Sequence, residues 1–123
     1  DAISLQVNQP VGDFLEKGYN YQQNYYKFTV YEPGSVKIKF FNPLQSNSDQ
    51  YWSVYLYDSE YKELCWTRIY GNKTSTESLT TGIPMGTYYI KVNSANWQWA
   101  ATDMYTLEAE FAASDMWDKE FNE

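Results

Sequence analysis

Two pairs of residues in this chain have types and spacing that could do chemistry: the carboxylates Glu108 and Glu110, and the indoles Trp97 and Trp99. Glu108 and Glu110 fall in an alternating run, so on a strand they point to one side, about 7 Å apart. That spacing lies within the range glycosidases use for an acid and its partner. A general acid also needs a desolvated carboxyl, and nothing near these residues suggests one. Same-side acids on an edge strand also guard against edge-to-edge pairing. Glycoside hydrolysis by this pair is therefore kept as a third possibility. The chain has no His to serve as a base, no glycine-x-serine-x-glycine elbow and no phosphate-cradling glycine loop. Cys65 is alone, so it can form no internal disulfide, lacks an activating His, and reads as a half-buried thiol on a strand. Zinc fails for want of ligands.

The indoles suit a different task. A pyranose ring presents a C–H face that a flat indole can cover, and a rim of hydroxyls that amides can bond. The segment from Asn93 to Thr102 is otherwise small and polar, yet it carries Trp97 and Trp99, which share a side if the segment is extended. Gln98, Asn96 and Asn93 supply donors and acceptors beside them. Trp66 and Tyr70 are candidates to assist. The competing reading has Trp97 and Trp99 folded back as a lid on the end of the domain. Trp52 and Trp117 read as packing residues. Tyr51, Tyr55 and Tyr57 form a second stripe, opposite in phase to Trp52, Val54 and Leu56. Such a stripe is either a ligand platform or cross-strand aromatic packing.

The elements that must position these residues are strands. Period-two alternation recurs at Ile3/Leu5/Val7, Tyr26/Phe28/Val30, Val36/Ile38/Phe40, Trp52/Val54/Leu56, Tyr88/Ile90/Val92 and Tyr105/Leu107/Ala109/Phe111, with a weaker run at Leu64/Trp66/Arg68. Turn signals such as Glu32-Pro33-Gly34, Asn42-Pro43, Gly71-Asn72 and Pro84-Met85-Gly86 separate them. No segment has a convincing helical period. Seven to nine short strands in 123 residues predict an all-β, antiparallel β-sandwich or jelly roll, built around one core. Thirteen Tyr is the most unusual count, and Tyr suits half-buried sheet faces and binding surfaces alike.

Charge excludes other classes. Sixteen acids against nine bases give a formal net charge of −7, and no run of Lys and Arg offsets it locally. Nucleic acid and anionic membrane are disfavoured partners, and no apolar run approaches the roughly eighteen residues of a membrane span.

Four segments, Tyr25-Tyr26-Lys27-Phe28-Thr29-Val30, Gly34-Ser35-Val36-Lys37-Ile38, Trp52-Ser53-Val54-Tyr55-Leu56-Tyr57-Asp58 and Gly86-Thr87-Tyr88-Tyr89-Ile90-Lys91-Val92, follow one another in order. Together they resemble the bacterial pre-peptidase C-terminal domain family over nearly the whole chain. The resemblance implies a jelly-roll sandwich appended to secreted enzymes or repeated in cell-surface proteins, non-catalytic, and in some members binding the host enzyme's insoluble substrate. The acidic segment with which members of the family often begin has its look-alike here at the far end, Trp117 to Asn122, which suggests the start of a following unit. That placement puts the structural calcium of some relatives in doubt. The high aromatic content looks like that of carbohydrate-binding modules.

The expectation is therefore a single binding module over residues 1–112, with 113–123 a linker or the start of another module. It would be a monomer without cofactor, secreted or surface-attached, holding a polysaccharide (starch or β-glucan) through Trp97, Trp99, Gln98, Asn96, Trp66 and Tyr70. A structural spacer or protein-contact domain is the alternative, and neighbouring domains of the same chain are the partners it implies.

Overall fold

The computed structural model describes residues 2–16, 22–45, 48–94 and 101–114. Nine strands form within them: β1 (Ile3–Ser4), β2 (Val11–Asp13), β3 (Gln23–Val30), β4 (Gly34–Phe41), β5 (Tyr51–Tyr57), β6 (Glu63–Tyr70), β7 (Ser75–Ile83), β8 (Gly86–Ser94) and β9 (Tyr105–Ala113). They make two sheets, one ordered β1-β3-β8-β5-β6 and the other β2-β9-β4-β7. Every pairing is antiparallel except the short β1–β3 contact. The antiparallel β-sandwich implied by the alternation is the observed architecture.

One phase of each central strand is apolar, and that phase faces the other sheet. Phe28, Trp52, Val54, Leu56, Ile90 and Val92 descend from the five-stranded sheet; Val36, Ile38, Phe40, Tyr105, Leu107 and Ala109 rise from the four-stranded one, and all are buried. Trp52 sits between Phe40 and Tyr105, with ring centroids 5.3 and 6.3 Å away. Each such side chain contributes about 1.5–3 kcal/mol by leaving water.

Two strands have no counterpart among the predicted runs, for different reasons. The segment before Gly12 is β1 and its extension: only Ile3–Ser4 is strand, Ile3 is exposed and Leu5 is buried, while β2 covers just Val11–Asp13. β7 has Thr76, Ser78 and Thr80 on its inward phase, which conceals it from a hydrophobic reading. It lies at the rim of the four-stranded sheet, against β6 at the rim of the other. There the inward groups find polar partners. Thr67 and Thr76 share a 2.8 Å hydroxyl bond, Thr80 donates to the Cys65 sulfur at 3.0 Å, and Cys65 donates to Ser78 at 3.6 Å. Cys65 is thus a free, half-buried thiol engaged in a seam between sheets.

A second polar lock joins the sheets at the other side. Tyr26 donates to Asp13 Oδ2 at 2.6 Å, its hydroxyl lies 2.6 Å from that of Tyr105, and Asn24 donates to Tyr105 at 3.0 Å. Since Tyr26 gives its single proton to Asp13, Tyr105 must donate to Tyr26, and the chain of bonds has one direction. Burial, then the neighbouring Tyr105 and Asp13, push the Tyr26 phenol far above its ordinary value. Burial pushes Tyr105 up to about 12, against the hydrogen bonds it shares with Tyr26 and Asn24. Asn42, fully buried, donates to the carbonyls of Gly71 and Lys73 and so pins the end of β4 to the β6–β7 turn.

Both phenols hold their protons more tightly in the folded chain than in the unfolded one. Stability is therefore intact below about pH 10 and falls as pH rises from there through 12, by about 1.4 kcal/mol per pH unit for each titrating group. Urea unfolding at stepped alkaline pH checks this. The Tyr26→Phe/Tyr105→Phe chain is expected to lose the steep decline, and equal slopes for the two chains would refute it. Gly34 gives a second test: a Cβ there would meet the Ala112 carbonyl and lie 2.7 Å from the Phe111 ring. Gly34→Ala is expected to cost about 1–3 kcal/mol in the same assay.

Candidate functional site: an aromatic sheet face

The registers of β3, β8, β5 and β6 decide what the outer face of the five-stranded sheet displays. Inward burial of Trp52, Val54 and Leu56 leaves Tyr51, Ser53, Tyr55 and Tyr57 outward on β5. On β6 the partners of these outward residues are Tyr70 opposite Tyr51, Arg68 opposite Ser53 and Trp66 opposite Tyr55. On β8, Asn93 lies opposite Ser53, Lys91 opposite Tyr55 and Tyr89 opposite Tyr57. β3 adds Gln23, Tyr25 and Lys27 to the same rows. The face thus reads in bands across the strands. Tyr70 and Tyr51 form the first; Arg68, Ser53, Asn93 and Gln23 form a polar second; Trp66, Tyr55, Lys91 and Tyr25 form the third. Tyr57, Tyr89 and Lys27 form the fourth, with Glu63 in register with Tyr57 at a bulge in β6.

The rings and cations of this face hold one another. Tyr55 lies nearly parallel to Trp66 (centroids 5.9 Å, 19°) and to Tyr57 (6.1 Å, 14°). The Lys91 ammonium stands 4.5 Å from the Tyr55 centroid, and the Arg68 guanidinium 4.2 Å from that of Tyr51 and 5.7 Å from that of Trp66. Arg68 also donates to Ser53 at 3.1 Å, and Ser53, though outward in phase, is buried beneath its neighbours. Burial pulls the Lys91 ammonium down, but its hydrogen bond to Tyr57 and the neighbouring tyrosines outweigh this, and the net shift is upward. Lys91 is a full cation at neutral pH.

The hairpin between β5 and β6 folds onto this face. Asp58 Oδ1 accepts from the backbone N–H groups of Glu60 and Lys62, closing the turn. Tyr61 adopts a φ of +63°, a conformation that costs a bulky residue energy. Its ring lies 4.7 Å from Tyr89, nearly parallel. Trp66 is 50%, Tyr70 45% and Tyr61 59% exposed, whereas Tyr51, Tyr55, Tyr57 and Tyr89 are half-buried between their neighbours. A groove of about 910 Å³ continues beyond Lys27 and Tyr89 along β1 and β3, past Leu5, Val7, Thr29 and Tyr31.

Of the residues singled out from sequence, Trp66 and Tyr70 lie on this face. The run Leu64/Trp66/Arg68 is corrected by the structure: Cys65, Thr67 and Ile69 are the inward phase of β6, and Trp66 and Arg68 point out. Asn96, Trp97, Gln98 and Trp99 lie outside the described residues, as does Trp117. Their flanks do not: Ser94 donates to the Tyr51 carbonyl at 2.6 Å and accepts from the Ala101 N–H at 2.8 Å, so both ends of that segment meet beside the first aromatic band. Glu108 and Glu110 lie on the outer face of the other sheet, on a strand flanked by β2 and β4 rather than at an edge. Glu110 pairs with Lys39 at 3.8 Å there. Among the described residues, no group of three or more acids, Cys or His gathers to hold a metal.

Tyr61, Tyr89, Lys91 and Arg68 are among the members that the sequence reading missed, with Gln23, Tyr25 and Lys27 of β3. The signal for two of them was present in the second phase of the Tyr88/Ile90/Val92 run, where Tyr89 and Lys91 alternate. The absence of any Lys/Arg run concealed that Lys27, Arg68 and Lys91, far apart in sequence, share one sheet face through strand order.

No family model and no curated protein sequence matches the chain. Among solved structures, it is similar to the pre-peptidase C-terminal domain of collagenase from Bacillus anthracis: 16% identity, TM-score 0.62, covering 89% of this chain and 95% of that one. The K3 cleaved adhesin domain of Lys-gingipain from Porphyromonas gingivalis w83 also matches, at 12% identity and a TM-score of 0.38 over 81% of this chain and 71% of that one. At such identity the collagenase domain speaks for the fold: the chain is a β-sandwich of pre-peptidase C-terminal type.

Proposed function

We propose that this domain is a non-catalytic binding module of a secreted or surface-held bacterial protein. Its ligand is a polysaccharide, held on the outer face of the five-stranded sheet. The observation that carries this reading is the run of ring contacts from half-exposed Trp66 through Tyr55 and Tyr57 to Tyr61 and Tyr89, with the Tyr51–Tyr70 pair across the polar band. Contiguous exposed rings rimmed by polar groups mark interaction surfaces. The polar band of Arg68, Asn93 and Gln23 supplies hydrogen-bond partners for a hydroxyl rim beside rings able to cover C–H faces. Binding there needs no metal and no nucleophile.

The second reading is a spacer or protein-contact domain, and it has its own support in the fold likeness to the collagenase domain. The fold likeness supports this reading more directly than it supports polysaccharide binding, and half-exposed rings on one face suit a protein contact as well as a sugar. Affinity electrophoresis separates the two. Wild type is expected to be retarded in gels containing xylan, β-glucan or starch, and Trp66→Ala to lose about thirtyfold in affinity, the size of effect seen when a central aromatic anchor is truncated. Tyr61→Asn removes a ring while suiting the positive φ, and should weaken binding too. Both variants are expected to shift the thermal midpoint by no more than about 4 °C, whereas Trp52→Ala should cost about 3–5 kcal/mol. Unchanged mobility of wild type in every gel would favour the spacer. Loss of retardation in Trp97→Ala but not in Trp66→Ala would move the site off the sheet face.

A further inference from the structure

The aromatic face carries mostly positive charge. Its four bands hold Lys27, Arg68 and Lys91 against one acid among the described residues, Glu63, which is in register with Tyr57 at the bulged corner of β6. The rest of the molecule is the reverse: sixteen acids against nine bases overall. On the outer face of the other sheet lysines meet acids directly, Lys37 with Glu77 at 3.2 Å and Lys39 with Glu110 at 3.8 Å. Among the described residues no carboxylate lies within 4 Å of the Lys27, Arg68 or Lys91 head groups. Arg68 and Lys91 stand over rings instead, which fixes their position without neutralising them.

Building on the polysaccharide reading, we infer that the ligand is an acidic one: a chain neutral along most of its backbone that carries isolated carboxylates, as uronic acid units, which Arg68 and Lys91 receive. The net charge of −7 repels a dense polyanion at long range, whereas within a Debye length of about 8–10 Å the local cations dominate. A sparsely charged polymer gains the second effect without incurring much of the first. Arg68 on β6 and Lys91 on β8 flank β5, so their backbones are on the order of 10 Å apart across the strands. Sugar rings could lie against Trp66 and Tyr70 while their carboxylates meet the cations alongside. The guanidinium suits a carboxylate because its fork of donors binds two oxygens at once.

The test compares glucuronoxylan with the same polymer after its carboxyls are reduced to alcohols, by affinity electrophoresis and calorimetry. Reduction is expected to weaken wild-type binding about tenfold, from two partly exposed ion pairs each contributing a factor of roughly three to five. Arg68→Gln and Lys91→Gln should each lose about that factor toward the intact polymer and little toward the reduced one. Binding to the intact polymer should also weaken with added salt. Lys27→Gln, at an exposed position on the same face, is expected to change binding by about twofold or less, and a loss as large as that of Arg68→Gln or Lys91→Gln would overturn their assignment. Equal binding of intact and reduced polymer would overturn the inference and leave the polysaccharide reading standing. Retardation by no polysaccharide at all would remove both. Stronger retention by polyuridylate than by glucuronoxylan would overturn the inference in favour of a single-stranded nucleic acid.

Discussion

The structure depends on the two-faced geometry of antiparallel strands in fixed register. Successive side chains on a strand point to opposite faces, so burying one phase dictates the other. Here the buried phase of the five-stranded sheet is settled by its largest apolar residues: Trp52 with Val54 and Leu56 on β5, and Ile90 with Val92 on β8. A slip of one residue would bring Lys91, Tyr55 and Arg68 toward Phe40 and Ile38, at the cost of burying two cations without partners. The rows on the solvent side follow from that prohibition. Trp66, Tyr55, Lys91 and Tyr25 lie in one line because Cys65, Leu56, Ile90 and Tyr26 lie in another beneath it.

How much of this could be read from the sequence follows from the same geometry. The central strands were legible because their inward phase is apolar over several steps, as in Val36/Ile38/Phe40 and Trp52/Val54/Leu56. β7 was not, because its inward Thr76, Ser78 and Thr80 meet hydroxyls and a thiol from β6 at the sandwich rim rather than the core. The site was legible in fragments. The Tyr51/Tyr55/Tyr57 stripe, Trp66 and Tyr70 were visible as residues, but their union needs strand order, which alternation does not encode. Strand order places β6 and β8 on either side of β5 although the chain visits β7 between them. Tyr61 had no signal, since its place depends on a hairpin closed by Asp58 and a backbone conformation uncommon for tyrosine.

The two sheets place their charges differently. On the outer face of the four-stranded sheet, Lys37 and Lys39 sit across from Glu77 and Glu110, the cross-strand arrangement that supports a sheet. On the five-stranded sheet the cations instead cover rings. Arg68 over Tyr51 and Lys91 over Tyr55 fill the gaps between aromatic side chains, and their stems add to the packing. Among the described residues neither cation has a carboxylate within 4 Å.

Such packing bears on affinity through entropy. Association loses side-chain freedom at the interface, about 0.5–1.5 kcal/mol for each mobile side chain it immobilises. Tyrosine has two rotatable angles to fix, and here Tyr55, Tyr57 and Tyr89 are already fixed by Trp66, Lys91 and Tyr61. A ligand meeting this face orders little that is not ordered beforehand. The positive φ at Tyr61 likewise holds its ring against Tyr89. For a hydroxyl-rich polymer, the ligand proposed above, each contact is weak, and a weak contact adds to affinity only when forming it orders little else.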